Sequence, residues 1–253
     1  RYQLYTKYDA SDFKDIDGKS NTNNEKVQQL LWRMNFEMDA IMSEWVWFVT
    51  KDKDTGWSGD ILPPSQGGHA RQRPLQEQVD EYEYIGPDGY GYPIYADRAK
   101  ADGYDDENPY EGIRRDPRLY RDIRYHGSWY AGQQLNTASG DDAVSGSYLD
   151  QASHTGYYLR KFMNANYNQW DETIMDNTPW IFFRLAEFYL NYAECQIELG
   201  NNAEALKYIN LIRKRVNLPD ASGINIREEY EYERKVELMF EGQRFSTCAD
   251  GNV

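Results

Sequence analysis

The most regular pattern of apolar and polar positions lies between residues 176 and 245. Its first part repeats apolar side chains at intervals of three and four residues, which is typical of an amphipathic helix. These positions are Phe182, Ala186, Leu190, Ala193 and Ile197. The run Asn177-Thr178-Pro179 predicts the start of this helix, because a capping residue followed by Pro suits a first turn. Gly200 predicts its end, since helices often stop just before a glycine.

A second helix is predicted to begin at Asn201-Asn202. Its apolar positions are Ala205, Ile209, Ile212 and Val216. The last turn contains the cationic residues Arg213, Lys214 and Arg215. Positive charge at that end of a helix interacts favourably with the helix dipole. The two helices therefore form a hairpin with the layout of a tetratricopeptide-type repeat.

A third helix is predicted from about Arg227 to Phe245, with Val236 and Phe240 on one face. Together the three helices predict a mainly α fold with a tetratricopeptide-like helical-repeat scaffold. A single hairpin is too little for a self-sufficient solenoid, because each repeat contacts only its neighbours. Cys195 falls inside the first helix and is expected to be a small core residue.

The rest of the chain divides by composition. Trp45 and Trp47 alternate as in a strand, and residues 136–147 are polar and rich in Gly and Ser, which predicts a mobile loop. Turn-rich segments of this kind usually cover one face of a scaffold and contain the binding residues. The predicted units are 1–50, a helical and polar segment; 51–175, a long loop-rich insertion that forms a ligand-binding lobe; 176–245, the helical hairpin with its closing helix; and 246–253, a tail.

Composition narrows the possible ligands. The chain of 253 residues has a formal net charge of −14, so it shows no basic face for nucleic acid or for anionic lipid headgroups. Its 22 Tyr and 7 Trp argue against disorder and indicate half-exposed surfaces that meet polar ligands. The alternative is that these rings pack loops onto a core. Two Cys do not make a disulfide framework, and the three His show no metal-ligand spacing.

Several stretches in order resemble a known family. They are PSQ (64–66), RPLQEQVDEYE (73–83), NPYEGIRRDPRLYRDIRYHG (108–127), TGYYLRKFM (155–163), FFRLAEFYLNYAECQIELGN (182–201), LIRKRVNLP (211–219) and ERKVELMFEGQRF (233–245). Their combination, over about residues 60–245, resembles the C-terminal half of the SusD/RagB family, the nutrient-binding outer-membrane lipoproteins of Bacteroidetes. After Phe245 the chain departs from the family pattern, with Ser246-Thr247-Cys248-Ala249 in place of a further aromatic stretch.

The resemblance implies a function in polysaccharide utilisation and nutrient uptake. It implies non-catalytic capture of oligosaccharides at the extracellular face of the outer membrane and delivery to a SusC-like TonB-dependent transporter. Membrane attachment is then expected only through a lipid anchor in an N-terminal half that has no counterpart in this sequence. Two alternatives are kept open: a module that binds a peptide or a partner protein, and a glycoside hydrolase.

Sugar binding guides the choice of site residues, because sugars stack on flat aromatic rings and hydrogen-bond to neighbouring polar groups. The expected ligand-binding residues are Trp57, Trp45, Trp47, Asp54 and Asp60 in a first patch, Tyr92 and Tyr95, with Tyr90 beside them, in a second, and Trp129 and Tyr130 in a third. Trp57 is the strongest of them, since Gly56 and Ser58-Gly59 make a neighbourhood too flexible for a core anchor. Packing of loops on the helical platform is the alternative for each.

Charged residues within the apolar motifs favour a structural role, because such charges are seldom buried unless they are paired. They are Arg115, Asp116, Arg118, Arg160, Arg184, Glu187, Glu194, Glu237, Glu241 and Arg244. We expect ion-pair and hydrogen-bond struts between helices and loops, not an active site.

No catalytic residue and no cofactor is expected. The sequence has no nucleophile elbow, Ser–His–acid arrangement or phosphate-binding loop. With 42 acidic residues, counting alone leaves a glycosidase pair open. A Ca²⁺ site is a further alternative, at Asp52-Lys53-Asp54 or at the acidic cluster Asp102, Asp105, Asp106 and Glu107.

Overall fold

The computed structural model describes residues 3–4, 44–49, 57–103, 115–130, 133–163 and 179–243. Its helices are α1 (Trp57–Ile61), α2 (Gln76–Asp80), α3 (Asp97–Ala101), α4 (Pro117–Asp122), α5 (Leu185–Glu198), α6 (Asn202–Arg215) and α7 (Ile226–Glu237), with a 3-10 turn at Pro64–Gln66. The long helices follow one another in the C-terminal part, and short elements joined by loops precede them. The predicted mainly α scaffold with a loop-rich insertion is confirmed.

The strands form separate two-stranded antiparallel ribbons. They are β1 (Trp45–Val49) with β8 (Trp180–Arg184), β2 (Tyr84–Ile85) with β3 (Gly91–Tyr92), β4 (Ile123–Arg124) with β7 (Tyr158–Leu159), and β5 (Trp129–Tyr130) with β6 (Gln133–Gln134). An isolated two-stranded ribbon is at best marginally stable in water, so these ribbons depend on packing against the helices and loops.

Helices α5 and α6 pack as the predicted hairpin, and α7 lies against both. Their shared core consists of Ala186, Leu190, Ala193, Ala205, Ile209, Ile212, Ile226, Tyr230 and Leu238. Ala186, Ala193 and Ala205 are small members of this core, and small side chains let helices pack closely. Gly200 has φ +77° directly after the capping residue Leu199, so the predicted end of α5 is confirmed.

The predicted start of α5 at Pro179 is wrong. Trp180–Arg184 is strand β8, paired with β1 across the register Val49↔Trp180 and Trp47↔Phe183. Aromatic and β-branched side chains favour this pleated conformation, and the pairing with β1 overrides the helical spacing of Phe182. The helix begins only at Leu185.

Two other expectations for the helices are also wrong. The third helix ends at Glu237, not at Phe245, because the chain reverses through positive φ angles at Phe240 (+67°) and Gly242 (+78°). The ammonium of Lys161 donates to the carbonyls of Glu237 (3.2 Å) and Met239 (2.7 Å), which satisfies backbone groups that a longer helix would use itself. Cys195, expected in the core, is exposed on α5.

A second core joins the insertion to the last helix. Its residues are Val79, Tyr82, Leu119, Tyr120, Ile123, Tyr125, Val236 and Met239. The polar loop 136–147, expected to be mobile, is anchored to this lobe at Asp142. The Asp142 carboxylate accepts hydrogen bonds from the backbone N (2.8 Å) and Oγ (2.7 Å) of Ser65, and its carbonyl accepts from the Tyr158 hydroxyl at 2.9 Å.

Among the described helices, none combines the length and the apolar character needed to cross a membrane.

Candidate functional site

The first predicted patch is split by the fold. Trp45 is only 3% exposed and packs edge-on against Phe48 at 5.4 Å, so it belongs to the core and offers no face to a sugar. Trp47, two residues later, is 55% exposed and stacks on Phe182 at 4.7 Å. Two irregularities in the β1–β8 register, on either side of Trp47, place these two side chains in different environments.

The other residues of that patch lie around α1. Trp57 is the first residue of α1, so Ser58 and Gly59, expected to be flexible, are helical. Asp60 pairs with Arg71 at 3.2 Å, and its backbone carbonyl accepts from the Arg71 amide at 2.6 Å. Asp54 lies outside the described residues.

The second patch surrounds the β2–β3 hairpin. The Tyr92 ring lies 6.5 Å from Tyr84, and its hydroxyl donates to Asp88 at 2.6 Å. Tyr95, just after the hairpin, is 63% exposed and donates its hydroxyl to the carboxylate of Asp80 on α2. Tyr95 therefore presents most of its ring to solvent while its polar end is fixed.

Asp80 is part of a larger hydrogen-bonded array on the surface of α2. The Gln76 amide donates to Asp80 Oδ1 at 2.7 Å, and the Tyr157 hydroxyl donates to Gln76 Oε1 at 2.8 Å. The Tyr95–Asp80–Gln76–Tyr157 array thus holds two tyrosines on either side of an amide and a carboxylate. Hydroxyl oxygens that donate to these groups keep lone pairs that accept from a ligand hydroxyl.

Sequence reasoning found only one member of the array. Gln76 and Asp80 are four residues apart on a helix, a spacing at which polar side chains interact, so their contact could have been predicted from the sequence. Tyr157 joins Gln76 from 81 residues away, which no local pattern indicates.

The third patch is the β5–β6 hairpin, in which Trp129 pairs with Gln134 and Tyr130 with Gln133. Trp129 is half-buried, and its carbonyl accepts from Arg160 at 3.3 Å. The hairpin is fixed by a bond from Gln134 Nε2 to the Gly127 carbonyl at 2.9 Å.

Of the charged motif residues, Asp116, Arg118, Arg184, Glu237 and Glu241 form ion-paired struts. Hydrogen bonds are made by Arg115, Arg160, Glu187 and Glu194. Arg118 is fully buried and contacts Asp116 at 2.7 Å and Glu237 at 3.2 Å. Although burial alone would raise it, the pKa of Glu237 is held well below its usual range by surrounding arginines. Further members of the network are Glu44, Arg121, Asp122, Lys161, Arg184, Arg213, Arg215, Glu233 and Glu241. Arg244 lies outside the described residues.

Arg213, Lys214 and Arg215 lie in the last turn of α6, as predicted. Two of them also form ion pairs, since Arg213 contacts buried Glu233 at 3.1 Å and Arg215 contacts Glu44 at 2.7 Å. Both guanidinium groups are buried, so they neutralise interior carboxylates. The arginines also lower the pKa of Asp116 and Glu241, although both carboxyl groups are buried.

A cavity of about 500 Å³ lies between α2 and the end of α7. Leu238, Met239 and Phe240 form its floor, and polar residues from both helices form its rim: Glu77, Gln78, Glu81, Arg234, Lys235 and Gln243. The two walls are more than 150 residues apart in sequence, so no motif predicted it.

Metal ligands do not cluster in the described part of the chain: no group of three or more His, Cys, Asp or Glu side chains has a suitable arrangement there. Of the expected Ca²⁺ ligands, Asp52, Asp54, Asp105, Asp106 and Glu107 lie outside the described residues. Asp102 accepts a hydrogen bond from the Tyr84 hydroxyl at 3.1 Å.

Known proteins share this architecture. A SusD-like protein of Bacteroides fragilis is 28% identical, with a TM-score of 0.68 over 96% of this chain and 46% of its own. A second one, described as a SusD-like carbohydrate binding protein of Bacteroides fragilis, is 24% identical, with a TM-score of 0.69 over 96% of this chain and 48% of its own, and supports the fold alone. A SusD-like protein of Formosa agariphila is 36% identical over 83 residues, 28% of this chain and 16% of that protein.

This chain therefore spans about half the length of the solved structures that it resembles. The family model, described as the SusD family, matches residues 7–246. Since that match covers nearly the whole sequence, the chain belongs to the SusD family.

Proposed function

We propose that this protein captures oligosaccharides at the bacterial cell surface without cleaving them and passes them to a SusC-like TonB-dependent transporter. Membership of the SusD family supports this. The setting that we propose is the extracellular face of the outer membrane, with attachment through a lipid anchor.

The observation that carries the proposal is the Tyr95–Asp80–Gln76–Tyr157 array. Tyr95 offers an exposed ring for the C–H face of a sugar, and the amide and carboxylate beside it offer partners for hydroxyl groups. Because each hydroxyl and amide is already hydrogen-bonded, the groups are fixed before a ligand arrives, which lowers the entropic cost of binding. Trp47, Trp57 and Trp129 remain proposed further platforms.

The charge of the chain indicates which sugars suit it. A net charge of −14 repels uronic acids and sulfated glycans and leaves neutral ones unaffected. We therefore propose neutral oligosaccharides as the cargo.

Capture without cleavage fits the chemistry of the array. A glycosidase needs two carboxyl groups on opposite sides of the scissile bond. The array contains one carboxylate, Asp80, and both of its oxygens accept hydrogen bonds.

Affinity electrophoresis against neutral plant, host and microbial polysaccharides tests the proposal. One of them should retard the chain, and Tyr95→Ala should weaken binding by about 1–3 kcal/mol, the range for losing a stacking platform by analogy with bases. Tyr148→Ala is the matched control, since Tyr148 is an exposed tyrosine outside the array and outside the three predicted patches. Release of new reducing ends would contradict capture without cleavage, and capture of a transporter without any sugar would favour a protein-interaction module.

A further inference from the structure

The cavity and the array are built on the same helix. Gln76 and Asp80 of α2 belong to the array, whereas Glu77 and Gln78 of α2, with Glu81 just after it, line the cavity. Consecutive helix residues are rotated by about 100°, so the face with Gln76 and Asp80 adjoins the face with Glu77 and Glu81, and a short oligosaccharide lying on the array reaches the cavity.

The floor of the cavity is apolar. Leu238 and Met239 are buried, and the Phe240 ring is half-buried beside them. An apolar floor of this kind suits the C–H face of a pyranose ring, which needs contact but no hydrogen bonds. A volume of about 500 Å³ is within the range of sites that hold one small ligand.

The side chains at the rim of the cavity are held in place by hydrogen bonds and ion pairs, and they include both donors and acceptors. Lys235 is held by Glu81 at 2.9 Å, and Arg234 is held by Asn191 at 2.7 Å. Gln78 Oε1 accepts from the Leu75 amide at 2.8 Å, which leaves its NH₂ group to donate. Glu77 and Glu81 balance the charges of Arg234 and Lys235, so the rim offers a charged sugar no net electrostatic attraction.

We propose that this cavity is a subsite for the terminal residue of a neutral oligosaccharide whose next residues lie on the array. The inference rests on the proposed function and adds to it: the oligosaccharide is bound by its end, with one sugar residue in the cavity between α2 and α7. Phe240 then supplies the stacking face, and Gln78 and Glu77 bind its hydroxyl groups.

The test is calorimetric titration of the 253-residue chain with neutral linear hexasaccharides of glucose, mannose and xylose. Phe240→Gly should weaken the tightest of them at least tenfold. Glycine tolerates the φ of +67° found at Phe240, so the backbone at this position is not strained by the change. Phe188→Ala, which removes an exposed ring from α5, should leave the affinity unchanged.

A second measurement uses the wild-type chain and so does not depend on whether the Phe240 variant folds. The Met239 methyl group, labelled with ¹³C, should shift in NMR spectra when the bound hexasaccharide is added to the wild-type chain. Affinity lost in Tyr95→Ala, together with an unmoved Met239 signal, would overturn the subsite and leave the proposed function standing. No titration by any hexasaccharide would overturn both, and a Met239 shift caused by trileucine alone would assign the cavity to peptides and overturn the subsite.

Discussion

Arg184 and Glu237 join the end of strand β8 to the end of helix α7. Arg184 Nη1 lies 2.7 Å from Glu237 Oε1, and Arg184 Nη2 donates to the Glu237 carbonyl at 2.7 Å. The same guanidinium contacts Glu241 at 2.7 Å and Glu44 at 3.3 Å. One buried side chain thus connects the β1–β8 ribbon, the last helix and the turn after it.

Arg184→Ala should lower the free energy of unfolding by about 3–5 kcal/mol, because it leaves buried carboxylates without their partner. Urea denaturation measures this loss. The affinity of the folded fraction for glycan should stay the same, since Arg184 lies outside the array. Lys214→Ala is the control: its pair with Asp220 is exposed, and surface pairs contribute at most about 1 kcal/mol. Equal losses of unfolding free energy in the two variants would contradict a stabilising role for the buried network.

Asp142 is predicted to hold the loop 136–147 in place. Asp142→Ala removes the acceptor for both Ser65 groups, and leaving these partly buried donors unpaired costs up to about 1–3 kcal/mol. Amide hydrogen exchange in residues 136–147 should become faster. Asp141→Ala, at the exposed neighbouring position, should change neither stability nor exchange. A loop that exchanges equally fast in both variants would show that Asp142 does not anchor it.

The sequence predicted those parts of the fold that depend on local spacing. The helical hairpin from Ala186 to Ile212 follows from its three- and four-residue period, and Gly200 follows from the need for a positive φ. The start of α5 was not predictable in this way, because β8 forms only through its pairing with β1, more than 130 residues earlier.

The site was only partly predictable for the same reason. Aromatic composition pointed to Tyr95, but its role depends on Asp80 and Tyr157, which the tertiary fold brings together. Composition also pointed equally to Trp45 and Trp47, and only the irregular register of β1 separates a buried ring from an exposed one.

Trp57 and Trp45 are predicted to respond in opposite ways to truncation. Trp57→Ala should weaken glycan binding by about 1–3 kcal/mol and leave the melting temperature nearly unchanged, as expected for a stacking platform. Trp45→Ala should lower the free energy of unfolding by about 3–5 kcal/mol, because a buried ring leaves a cavity. Calorimetric titration and thermal melts of both variants measure this. A large loss of stability with unchanged affinity in Trp57→Ala would make Trp57 a packing residue.

Glu83 lies where the β2–β3 hairpin meets the buried network. Its Oε2 is buried without a hydrogen-bond partner, 3.8 Å from Arg213 on α6. The carboxylate also fills the space beside Gly91, where a Cβ would collide with it. The charged groups of Asp116, Arg118 and Glu233 also act on the Glu83 carboxyl group. The backbone N of Glu83 donates to the Tyr232 hydroxyl at 3.2 Å. Burial raises the pKa of Glu83 to about 7, with Asp116 and Glu233 adding to the effect against the pull of Arg213 and Arg118.

Glu83 should therefore make the fold less stable at alkaline pH. The folded state prefers the protonated carboxyl, so this contribution is complete below about pH 4.5 and is lost as the pH rises through about 7. Glu83→Gln keeps a neutral side chain of the same size and should be more stable than the wild type above pH 8, by up to about 3 kcal/mol. The two proteins should converge below pH 4.5. Urea midpoints measured from pH 4 to 9 test this, and a constant difference between the two curves would rule out Glu83 as the titrating group.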